Sequence, residues 1–430
     1  MLGVVAAVGF ALLRILPLVG ARIGGGLDTI GYETQSKLPI FSHDFVAGAW
    51  PAGYPLFLKA VVHNRTAAMV VQVIVAILAW VWLAVMAARA ARHTTIRVAS
   101  FLVVLALGGS LVVIQWDPII GSDSLSISLG VALLAALLWL VERFTVPRAV
   151  AFAVIALLAA IDRDSTGVFF AAVAVVVIGG VLLRRLPRPW LAIAAVLLCG
   201  TVLASLSASG GKRWQAPLRD VITERLLESP PRTAYLQRHG MPLTAHEIKM
   251  ARGMCVTTTP TLGCATIRNP RFYRWIDEHG RSVYQHLLLA FPGTTIAEPT
   301  EHLGTSIGTR VKVEARLGNG TLERSPISHV LDTIVFVFDP TGVLVVSLLF
   351  LASCVVLWIR WRRGAFTIAA IMVLLVYVHL WIVWISDALE VTRHSLLASV
   401  QLRVGLWLGI LWVIDALLDA RDDKRPRAAG

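Results

Sequence analysis

Charge is what this chain most lacks. Only 15% of its 430 residues are Asp, Glu, Lys or Arg, against 57% hydrophobic residues, where a soluble domain carries about a quarter charged. That shortage excludes an ordinary soluble globule. Acids are scarcer still than bases, and the formal net charge is +13. No internal repeat is visible, which argues against the inverted-repeat plan of secondary transporters. There is no Walker-type loop and no zinc-protease motif, and Gly24-Gly25-Gly26 is too short for a phosphate loop. There are four cysteines. Cys199 and Cys354 fall in apolar runs and read as small packing residues. Cys255 and Cys264 share a polar stretch, where an oxidising compartment favours a local disulfide. With no further Cys or His at ligand spacing, a metal pair is disfavoured there.

Apolar runs fill the rest. Ten lie at roughly 2–20, 67–91, 97–115, 123–141, 148–161, 166–183, 189–208, 341–359, 365–386 and 396–418, most near the about 20 residues needed to cross a hydrocarbon core. The first lacks the basic start and small-residue cleavage site of a signal peptide and is kept as a helix. The expected fold is an all-α polytopic membrane protein with about ten transmembrane helices. Residues 1–208 form a seven-helix module whose first connection, 21–66, is too long to be passive. Residues 209–340 form a large loop domain, and 341–430 a three-helix module with a charged tail, expected to be disordered from Asp419. Helices are expected in the loop domain near 217–229 and 271–290, with irregular chain between. The stretch Trp50–Val62 reads as a turn followed by a helix lying on the membrane surface.

The bases are placed, not scattered. Arg89, Arg92 and Arg97, then Arg143 and Arg148, then Arg184, Arg185 and Arg188, then Arg360, Arg362 and Arg363, and finally Arg421, Lys424, Arg425 and Arg427 occupy alternate connections. The intervening short loops are nearly free of base. This positive-inside pattern sets both termini in the cytoplasm and the 21–66 and 209–340 segments outside a plasma (inner) membrane. It explains the positive charge without nucleic acid; the partner implied is the lipid bilayer.

Ionisable groups near membrane depth are candidates for function, because burying them is costly. Five places on the external side stand out. Asp28 comes first, with Tyr32 a turn later and Glu33 beside it, and His43 and Asp44 further on. The second is Gly121-Ser122-Asp123-Ser124, where the polar residues either cap the next helix or offer an anion site. The third is Asp162-Arg163-Asp164, a local ion cluster or a phosphate-binding arginine. The fourth is Glu390-Val391-Thr392-Arg393-His394. The fifth is the basic and aromatic content of the large loop, including Lys212, Arg213, Trp214, His279 and His286, each read singly as solvated or packing.

Taken in order, the early Asp28 and Tyr32, then Ala52-Gly-Tyr-Pro-Leu-Phe-Leu-Lys59, then Ser122-Asp-Ser-Leu-Ser126, then Arg163-Asp-Ser165 resemble the GT-C superfamily. These are integral-membrane glycosyltransferases that use polyprenyl-phosphate sugars. The likeness is to the protein mannosyltransferase and aminoarabinose transferase branch and related actinobacterial proteins. It covers about residues 20–185, and Glu390–His394 looks like the group's late external loop. The resemblance implies a polyprenyl-phosphate sugar as donor and a glycan or other hydroxyl as acceptor, with inversion of the anomeric centre in a single displacement. It implies that Asp28 is the general base and that Tyr54, Pro55 and Lys59 shape the site. Asp123 stands where many relatives have Glu, and Arg163 and Arg393 match rim arginines suited to the donor phosphate. Tyr32, Asp44, Asp164, Glu390 and His394 complete the expected substrate-binding set. Asp28-Thr29 departs from the relatives' Asp-Glu, so a divalent cation is allowed but not indicated, and no metal ligands are assigned. The alternatives are a transporter or flippase for lipid-linked glycans, or a scaffold of a cell-envelope complex. A transporter would carry its ionisable groups near the midplane.

Overall fold

All ten apolar runs are helical in the computed structural model, which describes residues 2–20, 23–26, 28–251, 269–307, 326–336, 340–361 and 364–422. The helices are α1 (Leu2–Ile15), α2 (Arg65–Ala90), α3 (Thr94–Gly108), α4 (Ser122–Glu142), α5 (Val146–Asp162), α6 (Asp164–Leu182), α7 (Trp190–Gly210), α8 (Pro340–Trp361), α9 (Gly364–Ser386) and α10 (Leu396–Asp422). A helix satisfies each backbone group within its own segment, which an apolar surrounding demands. Among the described residues, α2, α4, α6, α7 and α10 are long and apolar enough to cross a membrane. The protein is therefore built around membrane-embedded helices.

Local chemistry sets the helix ends. Asn64 starts α2 by accepting from the Ala67 N–H at 3.0 Å. Pro147 sits in the first turn of α5, where its missing N–H costs no helical bond. Between the helices, small residues permit close approach. Ala76, Ala79, Ala84 and Ala87 make a buried stripe on α2, which packs on α3 and α4. Gly167 on α6 leaves room for Ala204 on α7, and Thr201 donates to the Gly167 carbonyl at 2.8 Å. The principal core joins α2, α3 and α4 to α9 and α10 through Trp80, Leu83, Val104, Val131, Val376 and Val400.

Several expectations change. Helix α10 runs through Asp422, past the start of the expected disordered tail. Its acids hold it there: Asp415 accepts the His93 N–H at 2.8 Å, and Asp419 pairs with Arg92 at 3.1 Å. In the loop domain, helices also occupy Pro230–Arg238 and Ala245–Ala251, inside the stretch expected to be irregular. These elements share an apolar cluster of their own, with Leu218, Ile222, Leu226, Leu236, Phe272 and Leu287 at its centre. Cys255 and Cys264 lie outside the described residues.

The first connection carries three short helices, Thr29–Ser36, His43–Val46 and Gly53–Ala60. The last, expected to lie on the membrane surface, buries Tyr54, Pro55 and Leu58 within the protein. Gly53 is the reason. A Cβ there would stand 2.6 Å from the Asp162 Cα, so only glycine lets this helix seat against the end of α5.

Candidate functional site

Two residues of backbone pairing draw distant segments together. Gly24–Gly25 and Ile119–Ile120 form a parallel pair, and the Thr29 hydroxyl donates to the Ile120 carbonyl at 2.6 Å. Asp28 is thereby brought beside Ser122 and Asp123 at the start of α4. The α5–α6 junction and the short helix Val391–His394, which precedes α10, close the same end of the bundle.

Arg393 is the hub. Its Nη2 donates to Asp28 Oδ2 at 2.9 Å and its Nε to Asp123 Oδ2 at 3.0 Å. Its Nη1 donates to both Glu390 oxygens, at 2.9 and 3.1 Å. Asp123 also accepts from Arg163 Nη2 at 3.1 Å, so one carboxylate bridges two guanidinium groups. Exposure is graded across the cluster: the side chains of Asp123 and Arg393 are 2% and 13% exposed, those of Asp28 and Glu390 30% and 36%. Burial disfavours the charge on Arg393, but Asp123, Glu390 and Asp28 outweigh it and hold its pKa well above the ordinary value. His394 adds a second layer, pairing with Asp387 through Nδ1 and lying 3.7 Å from Glu390 through Nε2. Burial opposes the ionisation of Asp387, yet His394 and the backbone N–H groups of Glu390 and Leu389 bring its pKa down to about 2.

Aromatic side chains wall the cluster. Tyr32 is buried, which pushes its pKa up, and its hydroxyl lies 3.1 Å from Ser122 Oγ. Ser122 thus meets Tyr32 instead of capping α4, and Asp123 serves the two arginines. Tyr54 stacks edge-on to Tyr32 at 5.0 Å and donates to Gln72 at 2.6 Å. Trp50 Nε1 donates to Asp28 Oδ1 at 3.3 Å, and Gly31 leaves space for the indole, which a Cβ would meet at 2.3 Å. Arg213 fixes this wall: it binds Asp164 at 2.8 and 2.9 Å and donates to the Gly48 carbonyl at 3.0 Å.

The structure thus brings together Asp28, Tyr32, Asp123, Arg163, Glu390, Arg393 and His394, with Tyr54 behind them. Asp44 stands apart, 82% exposed and bonded to its neighbour His43. Lys59 lies over the Phe45 ring at 5.9 Å. Asp164 faces Arg213, its carboxylate taken by that pair. Sequence reasoning missed Trp50, Asp387 and the bracing role of Arg213. Asp387 did carry a signal, an acid in the same short loop as His394. Among the described residues no group of three or more His, Cys, Asp or Glu is arranged to hold a metal ion.

Chemically, the cluster presents a partly exposed carboxylate held in place by charge-assisted bonds, beside two arginines able to bind a phosphate in exchange for a carboxylate. Comparison with protein-family models, with curated proteins and with solved structures gives no match to this chain.

Proposed function

We propose that this protein is a membrane glycosyltransferase. It moves a sugar from a polyprenyl-phosphate donor to a hydroxyl of a cell-envelope glycan, lipid or protein acceptor, at the outer face of the plasma membrane. In this reading the chain crosses the membrane ten times with both termini in the cytoplasm, which the alternation of basic loops supports. The observation that carries this reading is the convergence of Asp28, Asp123, Arg163, Glu390 and Arg393 from four separate parts of the chain onto one half-open cluster.

The donor phosphate takes N–H groups of Arg163 and Arg393 in place of carboxylate oxygens. Asp28, released from Arg393, accepts the proton of the acceptor hydroxyl. The hydroxyl oxygen attacks the anomeric carbon, and the bond from that carbon to the phosphate oxygen breaks. Its electron pair leaves with the lipid phosphate, whose charge the arginines stabilise. One displacement inverts the anomeric centre. A lipid monophosphate leaves without needing a metal, so a divalent cation is optional.

The test is to supply membranes containing the protein with radiolabelled polyprenyl-phosphate sugars and hydroxyl acceptors. Label moving to acceptor above the level of empty membranes supports the reading. A second reading, a non-catalytic scaffold, draws on the full occupancy of the Arg393 nitrogens by carboxylates. Labelled donor that binds but is never consumed favours it, and donor that crosses the bilayer intact favours a flippase.

A further inference from the structure

Beneath the ion cluster lies a small cavity that the proposed reaction does not use. Ser126 of α4, Thr166 of α6, His379 of α9 and Gln401 of α10 line it with polar groups, among apolar neighbours such as Phe169 and Leu397. His379 is 1% exposed and stacks on Phe169 at 5.3 Å. Among the described residues neither of its ring nitrogens has a hydrogen-bond partner. An imidazole always carries at least one donor, and buried polar groups left unpaired are costly. The Ser126 hydroxyl spends its proton on Asp162 Oδ2 at 2.5 Å, which leaves its lone pairs able to accept. The cavity offers about 10 Å³ for the centre of a water molecule, which is room for one.

We infer that this cavity is a binding site for a single structural water, held by His379, Ser126 and Gln401. The water ties α9 and α10 of the C-terminal module to α4 of the N-terminal one. Through Ser126 it joins the hydrogen-bonded chain to Asp162, the neighbour of Arg163. His379 is then a positioning residue that braces the junction under the cluster. This inference is independent of glycosyl transfer.

The test is a high-resolution map of the full-length protein in nanodiscs, for wild type, His379→Phe and His379→Gln. The expected result is one density peak within hydrogen-bonding distance of a His379 ring nitrogen and of Ser126 Oγ. It should be lost in His379→Phe and kept in His379→Gln. An empty cavity in the wild-type map overturns the inference, and that map decides it even if a variant fails to fold. Density that persists unchanged in His379→Phe overturns the role of His379 in holding the water.

Discussion

Arg14, fully buried, and Arg393, 13% exposed, are both bound to carboxylates, and they sit in opposite electrostatic situations. Arg14 meets one acid. Its Nη2 and Nε hold Asp117, at 2.7 and 3.1 Å, its Nη1 donates to the Gly108 carbonyl, and both side chains are 1% exposed. Ser124 completes the pair by donating to Asp117 at 2.8 Å. Charge is balanced and water is shut out. Arg393 meets three acids, of which Asp28 and Glu390 remain about a third exposed. The balanced, sealed pair is a structural staple between α1 and the connection that precedes α4, with Ser124 linking it to α4 itself. The unbalanced, open cluster keeps exchangeable partners, which a ligand requires.

The sharpest way to break this contrast is to remove Arg14. Arg14→Leu leaves Asp117 buried without its cation and should lower stability by about 3–5 kcal/mol, read as a large drop in melting temperature. Adding Asp117→Leu should recover much of that loss, because a well-packed apolar pair often replaces a buried ion pair at little cost. A single variant that melts like wild type would remove the distinction.

The rim arginines should behave otherwise. Arg163→Ala and Arg393→Ala should weaken binding of a polyprenyl-phosphate sugar by roughly ten- to a hundredfold, the size of one charge-assisted hydrogen bond at about 1.5–3 kcal/mol. Donor titration in nanodiscs checks this. Unchanged affinity in both variants would make these residues interfacial anchors.

Gly53→Ala tests the seating of the first connection with no change of charge. The new Cβ meets the Asp162 backbone at 2.6 Å, and overpacking of this kind costs about 1–3 kcal/mol. Melting temperature and donor affinity should fall together, because the strain displaces Asp162 and its neighbour Arg163.

The smallest effect is on pH. Asp387 has a pKa near 2 when folded, below the unfolded value of about 3.9. Its contribution to stability is therefore present above about pH 4 and lost as pH falls toward 2. Asp387→Asn should flatten that acid limb in melting curves taken across this range. An unchanged limb would show that Asp387 is not held by His394.

The ten helices were legible in sequence because each apolar run is a local property, and a run of that length has few other stable forms in lipid. Asp28, Asp123, Arg163 and Arg393 were legible one by one, as charges at the margins of apolar runs. Their meeting was not. It depends on a two-residue strand pairing, Gly24–Gly25 with Ile119–Ile120, too short to leave a periodic signal. Asp44 resembled its neighbours in sequence, but only burial separates a cluster acid from a solvated one. Asp117 was passed over as part of a short loop without base, since its partner Arg14 lies on α1, far away in sequence.

One measurement bears most directly on the claim that the open cluster is reactive: the transfer rate of Asp28→Asn with a radiolabelled polyprenyl-phosphate sugar, taken alongside its melting temperature. A positioned base contributes about 10²–10⁴-fold. The account predicts a fall of that order, with melting near wild type and donor affinity no weaker than wild type, because the donor phosphate no longer has to displace a charged Asp28 from Arg393. A variant that transfers sugar at more than about a tenth of the wild-type rate would contradict it.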